Sequence, residues 1–108
     1  MAIKRIWHGW TTPEYAESYW AVLRGTVIPR IEAKQIPGYR GFEVLRRDHD
    51  SEVEFVTVIT FDSLENVIAF QGEDYRRAYV PDEAQEVLKR WDLTCAHYEV
   101  LDQDAVSK

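Results

Sequence analysis

The ten residues from 52 to 61 constrain the fold more than any other part of this sequence. They are rich in β-branched and aromatic side chains, which favour a strand. Residues 41–47 also resemble a strand, and the polar residues 48–51 between the two segments are typical of a turn. The pattern therefore predicts a β-hairpin. A hairpin this apolar is not stable alone in water, so the rest of the chain must cover it.

The segment before the hairpin predicts a strand followed by a helix. Residues 3–10 carry aromatic and aliphatic side chains at both parities of a strand. A threonine at 11 or 12 suits a helix N-cap, and Pro13 suits the first helical position. Apolar residues then recur at helical spacing, and an apolar stripe continues to Ile31 around Pro29.

The segment after the hairpin predicts two helices and a last strand. Asp62, with Glu65 three residues later, indicates the start of a helix that ends near residue 70. Pro81 opens another, which we expect to reach Trp91 because acidic residues occupy its first turn and basic residues its last. Residues 94–101 complete the predicted elements as a strand.

The order of these elements, β-α-β-β-α(α)-β, predicts an α+β fold of the ferredoxin-like type. Helices would cover one face of a four-stranded antiparallel sheet. We expect one domain over residues 1–101 and a polar tail over residues 102–108. Because the strand from 53 to 61 is apolar at both parities, a second copy of the chain is expected to cover the other sheet face as a homodimer.

Composition excludes several classes of function. The net charge of −6 argues against nucleic acid as a partner. No apolar run is long enough for a membrane span, and no signal peptide is visible, so the cytoplasm is the expected location. Cys95 is the only cysteine, and the three histidines are scattered, so we expect no metal site. Glycine-rich phosphate loops are also lacking.

Four segments resemble the antibiotic biosynthesis monooxygenase family of dimeric α/β barrels. They are residues 5–10, 37–41, 70–75 and 97–100. The resemblance implies a dimeric α/β barrel with a pocket between sheet and helices. It also implies cofactor-independent oxygenation, in which a phenolic or anthrone-type substrate loses a proton and its carbanion reduces oxygen directly.

Members of that family that degrade haem use a first-strand asparagine together with a tryptophan and a histidine near the second helix. Here His8 stands near the asparagine position, and Phe70 stands where relatives often carry histidine or tryptophan. Haem is therefore the weaker expectation, and we expect no cofactor.

His97 and His8 are the candidate catalytic residues, because the first and last strands are neighbours in this architecture. If both face the helices, they can serve as base and oxyanion partner for an acidic phenol or enol. The alternative is that each is a half-buried strand histidine, or that both lie at the dimer interface.

Five further residues are candidates for binding a small aromatic ligand: Trp10, Trp20, Tyr75, Arg77 and Phe70. The aromatic rings would wall the pocket, and the guanidinium would hold an acidic group. The alternative is that the aromatic side chains belong to the core and that Arg77 pairs with a neighbouring carboxylate. We therefore expect a cofactor-independent monooxygenase acting on a small aromatic or polyketide-like compound, or else a non-catalytic dimeric module that binds a small hydrophobic ligand.

Overall fold

The centre of the molecule is the first strand, which hydrogen-bonds to neighbours along both edges. The computed structural model describes residues 1–102, and its antiparallel sheet has five strands. They are β1 (Ile3–Thr11), β2 (Tyr39–Asp48), β3 (Val53–Phe61), β4 (Arg90–Trp91) and β5 (Ala96–Glu99). The order is β2-β3-β1, with β4 and β5 pairing with opposite ends of β1 on its remaining edge. This is the predicted ferredoxin-like arrangement, except that two short strands, β4 and β5, occupy the edge where a single fourth strand was expected.

The helices follow the strands in the predicted order and cover one face of the sheet. After a 3-10 turn (Pro13–Tyr15), α1 (Ala16–Val22) continues through a π-helical stretch (Leu23–Val27) into α2 (Ile28–Ala33). Then come α3 (Leu64–Gln71) and α4 (Asp82–Gln85). None of the helices within residues 1–102 is both long and apolar enough to cross a bilayer.

The predicted helix from Pro81 to Trp91 is wrong beyond its first turn. It ends at Gln85, and the next residues run along the edge of β1, where Lys89 N donates to Trp10 O at 2.7 Å and Asp92 N donates to His8 O at 3.0 Å. These sheet hydrogen bonds satisfy backbone groups that a longer helix would have paired internally. The last strand is also shorter than predicted, and Ser63 rather than Asp62 caps α3.

Alternation along β1 decides which side chains meet the helices. Odd-numbered residues of this strand are buried and even-numbered residues are only half-buried. Two apolar clusters form on the helix side. One is built around Trp7, Tyr19 and Phe55, and the other around Phe61 and Val67.

The outer face of the sheet carries apolar side chains that a single chain leaves uncovered. Ile6, Leu45 and Val56 lie there, and Leu45 is 51% exposed. A row of apolar side chains on a solvent-facing sheet is typical of a surface that a partner covers.

Candidate functional site

A cavity of about 460 Å³ lies between the inner face of the sheet and the helices. Trp7, Thr57 and Ile59 form part of its floor, while Tyr19 and Leu23 line it from the helical side. Its volume is within the range that suits small organic ligands. The cavity is therefore the principal candidate site among the described residues.

The cavity lies where the two apolar clusters approach each other without merging. Trp7 and Tyr19 come from one cluster, and Ile59 comes from the other. Leu23 and Val27, at the two ends of the π-helical stretch, both line it. Single-turn π bulges are rare and often accompany functional sites, so this local irregularity agrees with the location of the cavity.

Arg5 places a positive charge on the cavity floor, and the residue is only 4% exposed. Its Nη1 donates to the carbonyl oxygen of Tyr75 and to Nε2 of His97 at 3.0 Å, and its Nη2 donates to the carbonyl oxygen of Arg77 at 3.2 Å. None of these partners is a carboxylate. Burial lowers the pKa of Arg5, yet a guanidinium keeps its proton in proteins.

His97 is held against Arg5 by the register of two strands. Arg5 pairs with His97 across β1 and β5, so both side chains project toward the helices. Burial, and then the charges of Arg5 and Arg76, lower the pKa of His97 from 6.5 to about 4. The imidazole is consequently neutral at pH 7.

The mouth of the cavity is basic. Arg30 and Lys34 line it from α2 and the residue after it, and both are exposed. Arg30 pairs with Glu83 at 2.8 Å, while Lys34 Nζ lies 4.5 Å from the centre of the Phe70 ring and donates to its carbonyl oxygen at 3.2 Å. Within residues 1–102, every charged side chain that lines the cavity is basic, in a chain whose net charge is −6.

Two neutral polar groups also reach the cavity wall. Tyr19 is 2% exposed, and burial raises the pKa of its hydroxyl. None of the hydrogen bonds described for residues 1–102 uses that hydroxyl, so it can bond to a ligand. Cys95 is buried there too, and burial raises the pKa of its thiol. It also lines a second cavity of about 360 Å³, beside Tyr75 and His97.

The structure separates the two histidines that the sequence suggested as a pair. His8 pairs with Val56 and projects from the outer face of the sheet, where its Nδ1 lies 2.8 Å from Glu54 Oε2. His97 projects from the inner face. Since the sheet lies between them, they cannot act on one substrate molecule within a single chain.

Most of the predicted ligand-binding residues lie elsewhere. Trp10 is on the outer face, beneath the guanidinium of Arg90 at 3.8 Å from its ring centre. Trp20 packs beside the first cluster without lining the cavity. Tyr75 lines only the second cavity, and Arg77 reaches Arg5 through its backbone. Of the five, Phe70 lines the main cavity.

Sequence reasoning missed Arg5, Lys34 and Thr57 as residues of the site. The available signal for Arg5 was a charged residue between Ile3 and Trp7 at the buried parity of a strand. Ile6 and Trp10 make the opposite parity equally apolar, so the pattern did not decide which face was buried.

The fold and this cavity define a ferredoxin-like α+β domain with its site between sheet and helices. No protein-family profile and no curated protein sequence matches the chain. Solved structures do match it. A provisionally named antibiotic biosynthesis monooxygenase of Bacillus cereus is 16% identical, with a TM-score of 0.66 over 100% of this chain and 99% of the other.

Two further structures agree with that match. One from Nitrosomonas europaea, named in the same provisional way, is 14% identical, with a TM-score of 0.64 over 93% of this chain and 90% of the other. A protein of Mycobacterium tuberculosis is 16% identical, with a TM-score of 0.63 over 97% and 100%. The chain therefore shares the fold of these three structures.

Proposed function

We propose that this protein binds a small aromatic or polyketide-like compound in the main cavity and oxygenates it without a cofactor. The observation that carries the proposal is an apolar cavity of about 460 Å³ with the buried guanidinium of Arg5 on its floor. An apolar pocket with few, placed polar groups is the usual form of a small-molecule site. The names of the structures that share the fold point the same way.

The proposed chemistry uses only the substrate and molecular oxygen. The substrate loses a proton, and its anion places electron density on carbon. That carbon gives one electron to O₂, and the two radicals join to form a C–O bond in a peroxide. The peroxide gains a proton, and its O–O bond breaks as the same carbon loses its remaining hydrogen. A CH₂ group and O₂ thus become C=O and water.

In this reaction Arg5 would favour the ionised substrate, since a positive charge within a few ångströms lowers the pKa of an acid. His97 is a poor base, because its Nε2 accepts from Arg5 and its pKa lies near 4. We therefore give His97 the role of positioning Arg5. The substrate's proton would leave to solvent through the basic mouth of the cavity.

Oxygen uptake by the purified protein tests the proposal, with anthrones, hydroquinones and flavonols as substrates and no added cofactor or metal. Val27→Trp fills the cavity from the helical side and should abolish uptake. Ala21→Trp places the same side chain on an exposed position of α1 and should retain it. Absence of uptake across the whole panel with the parent protein would contradict oxygenation.

A second function is favoured by one observation. His97, whose imidazole lies on the helix side of the sheet, already accepts a hydrogen bond from Arg5. A site without a free base suits a non-catalytic module that binds a small hydrophobic ligand. A melting temperature raised by a panel compound, without oxygen uptake, would support this function.

We also propose that a second copy of the chain covers the outer face of the sheet, as in a dimeric α/β barrel. The support is the row of apolar side chains at Ile6, Leu45 and Val56. A two-fold dimer is the commonest way for one surface to cover itself.

A further inference from the structure

The guanidinium of Arg5 keeps N–H groups that no described residue accepts from. Its three described hydrogen bonds use both protons of Nη1 and one of Nη2. A guanidinium has five N–H donors. Within residues 1–102, the Nε proton and one Nη2 proton therefore have no described protein acceptor.

Those two donors sit on neighbouring nitrogens of one planar, positively charged group. The two oxygens of a carboxylate can accept from neighbouring guanidinium nitrogens. The contacts through Nη1 to Tyr75 and His97 fix the plane from the opposite side. The Phe70 ring, whose centre lies 5.6 Å from Arg5 Cζ, packs against it. The guanidinium is thus held in place before any ligand binds.

Among the residues that the structure describes, none that lines the cavity balances the charge of Arg5. His97 is neutral at pH 7, Arg30 already pairs with Glu83, and Lys34 adds another positive charge at the mouth. A buried charge without a counter-charge is unfavourable, so an incoming anion would relieve it. The described lining of this cavity contains basic side chains and no carboxylate, although the chain is acidic overall. Such a site is suited to an anion.

We infer that the ligand of this cavity is an aromatic carboxylate, whose carboxylate accepts from the unused N–H groups of Arg5 and whose ring lies among the apolar walls. This inference uses the cavity of the proposed function and adds the charge of the ligand. It does not depend on turnover.

Isothermal titration calorimetry with two matched probes tests the inference. 2-Naphthoate and 2-naphthamide have nearly the same shape, but only the first is an anion. We expect the parent protein at pH 7.5 to bind the carboxylate at least about ten-fold more tightly than the amide, as expected for a charge-assisted, two-pronged contact. Arg5→Gln should remove that preference and leave the affinity for the amide within about two-fold.

Arg24→Gln is the matched control, since it removes an exposed arginine of the π-helical stretch that does not line the cavity. It should preserve the preference for the carboxylate. If Arg5→Gln does not fold, as judged by circular dichroism, the parent protein decides with a third probe, 2-naphthylmethylammonium. That cation should bind more weakly than the amide.

The inference is overturned if the parent protein binds the amide or the cation as tightly as the carboxylate, or binds none of the three. It is also overturned if Arg5→Gln keeps the preference. A preference for the carboxylate that depends on Arg5, without oxygen uptake from any substrate, supports the inference while contradicting oxygenation. Oxygen uptake together with no preference for the carboxylate supports oxygenation while contradicting the inference.

Discussion

Arg5 Nη1 donates to His97 Nε2 at 3.0 Å, and this contact sets the tautomer of the neutral histidine ring. An arginine can only donate, so Nε2 must accept, and the proton of the neutral ring lies on Nδ1. Protonating Nε2 would break the hydrogen bond and bring two positive charges together in a partly buried place. Burial of the ring, and after it the charge of Arg5, therefore keep His97 neutral at pH 7.

The first prediction concerns the pH dependence of stability. The pKa of His97 falls from 6.5 in the unfolded chain to about 4 in the folded one. Between these pH values the unfolded chain binds a proton that the folded chain does not bind. The free energy of unfolding therefore decreases as pH falls from 6.5 to 4. The contribution is complete above pH 6.5. Because the ring is only half-buried, we expect it to be about 1 kcal/mol.

Urea unfolding of the parent protein and of His97→Gln, at pH 7 and pH 4.5, measures this effect. Glutamine keeps an acceptor for Arg5 but does not titrate, and all other titrating groups are common to both proteins. The parent should lose more stability than the variant between the two pH values. Equal losses, or an NMR titration of His97 with a midpoint near 6.5, would show that the ring is not held neutral.

The order of helices and strands along the chain was predictable from sequence because the evidence for each element is local. The apolar run of β3 and the helical periodicity before and after it each require only neighbouring residues. The short strand β4 (Arg90–Trp91) was not predictable in this way. Its acidic and basic residues suit a helix, and only the free edge of β1, far away in sequence, makes a strand more favourable.

The site was less predictable than the fold for a related reason. Ile3 and Trp7 make one parity of β1 apolar, while Ile6 and Trp10 make the other equally apolar. A strand that lies between a core and a second apolar surface gives no sign of which face meets the helices. The packing of the helices decides that Arg5 is buried and that His8 and Trp10 lie on the outer face. The sequence pattern of the strand alone does not show this.

Gly9 is required because the Trp7 ring lies over it. A Cβ at position 9 would lie 2.5 Å from Cη2 of Trp7 and 3.1 Å from Cδ2 of Leu88. The ring cannot move freely, since Trp7 Nε1 donates to the carbonyl oxygen of Asp92 at 2.8 Å. We expect Gly9→Ala to lower the free energy of unfolding by about 1–3 kcal/mol, which is typical of overpacking.

The control for Gly9 is Gly25→Ala, where an added Cβ meets no atom within 4 Å. In that helical position alanine should leave the protein as stable as the parent, or more stable by up to about 1 kcal/mol. Urea unfolding at pH 7 measures both variants. A Gly9→Ala protein as stable as the parent would mean that the Trp7 ring is free to shift.

The Cys95 thiol should react slowly. Burial raises its pKa, and the opposing effect of the Arg5 charge is smaller. Since the thiolate is the reactive form, we expect modification by an aromatic disulfide reagent at pH 8 to be about 100-fold slower than for an exposed thiol. The double variant Cys95→Ser/Ser51→Cys provides that exposed thiol in the hairpin turn. Equal rates for the parent and the double variant would contradict a closed environment around Cys95.

Covering of the outer sheet face predicts a charge-sensitive dimer. Val56 lies between Leu45 and His8 in the strand register, near the middle of the apolar row. In a two-fold dimer a substitution there enters the interface twice, so Val56→Lys would bury two positive charges close together. We expect the parent protein to have the mass of two chains by light scattering at micromolar concentration, and Val56→Lys to weaken association at least about 100-fold.

Ala21→Lys, which adds the same charge on the exposed side of α1, should remain a dimer. A parent protein with the mass of one chain would rule out the proposed covering of this face.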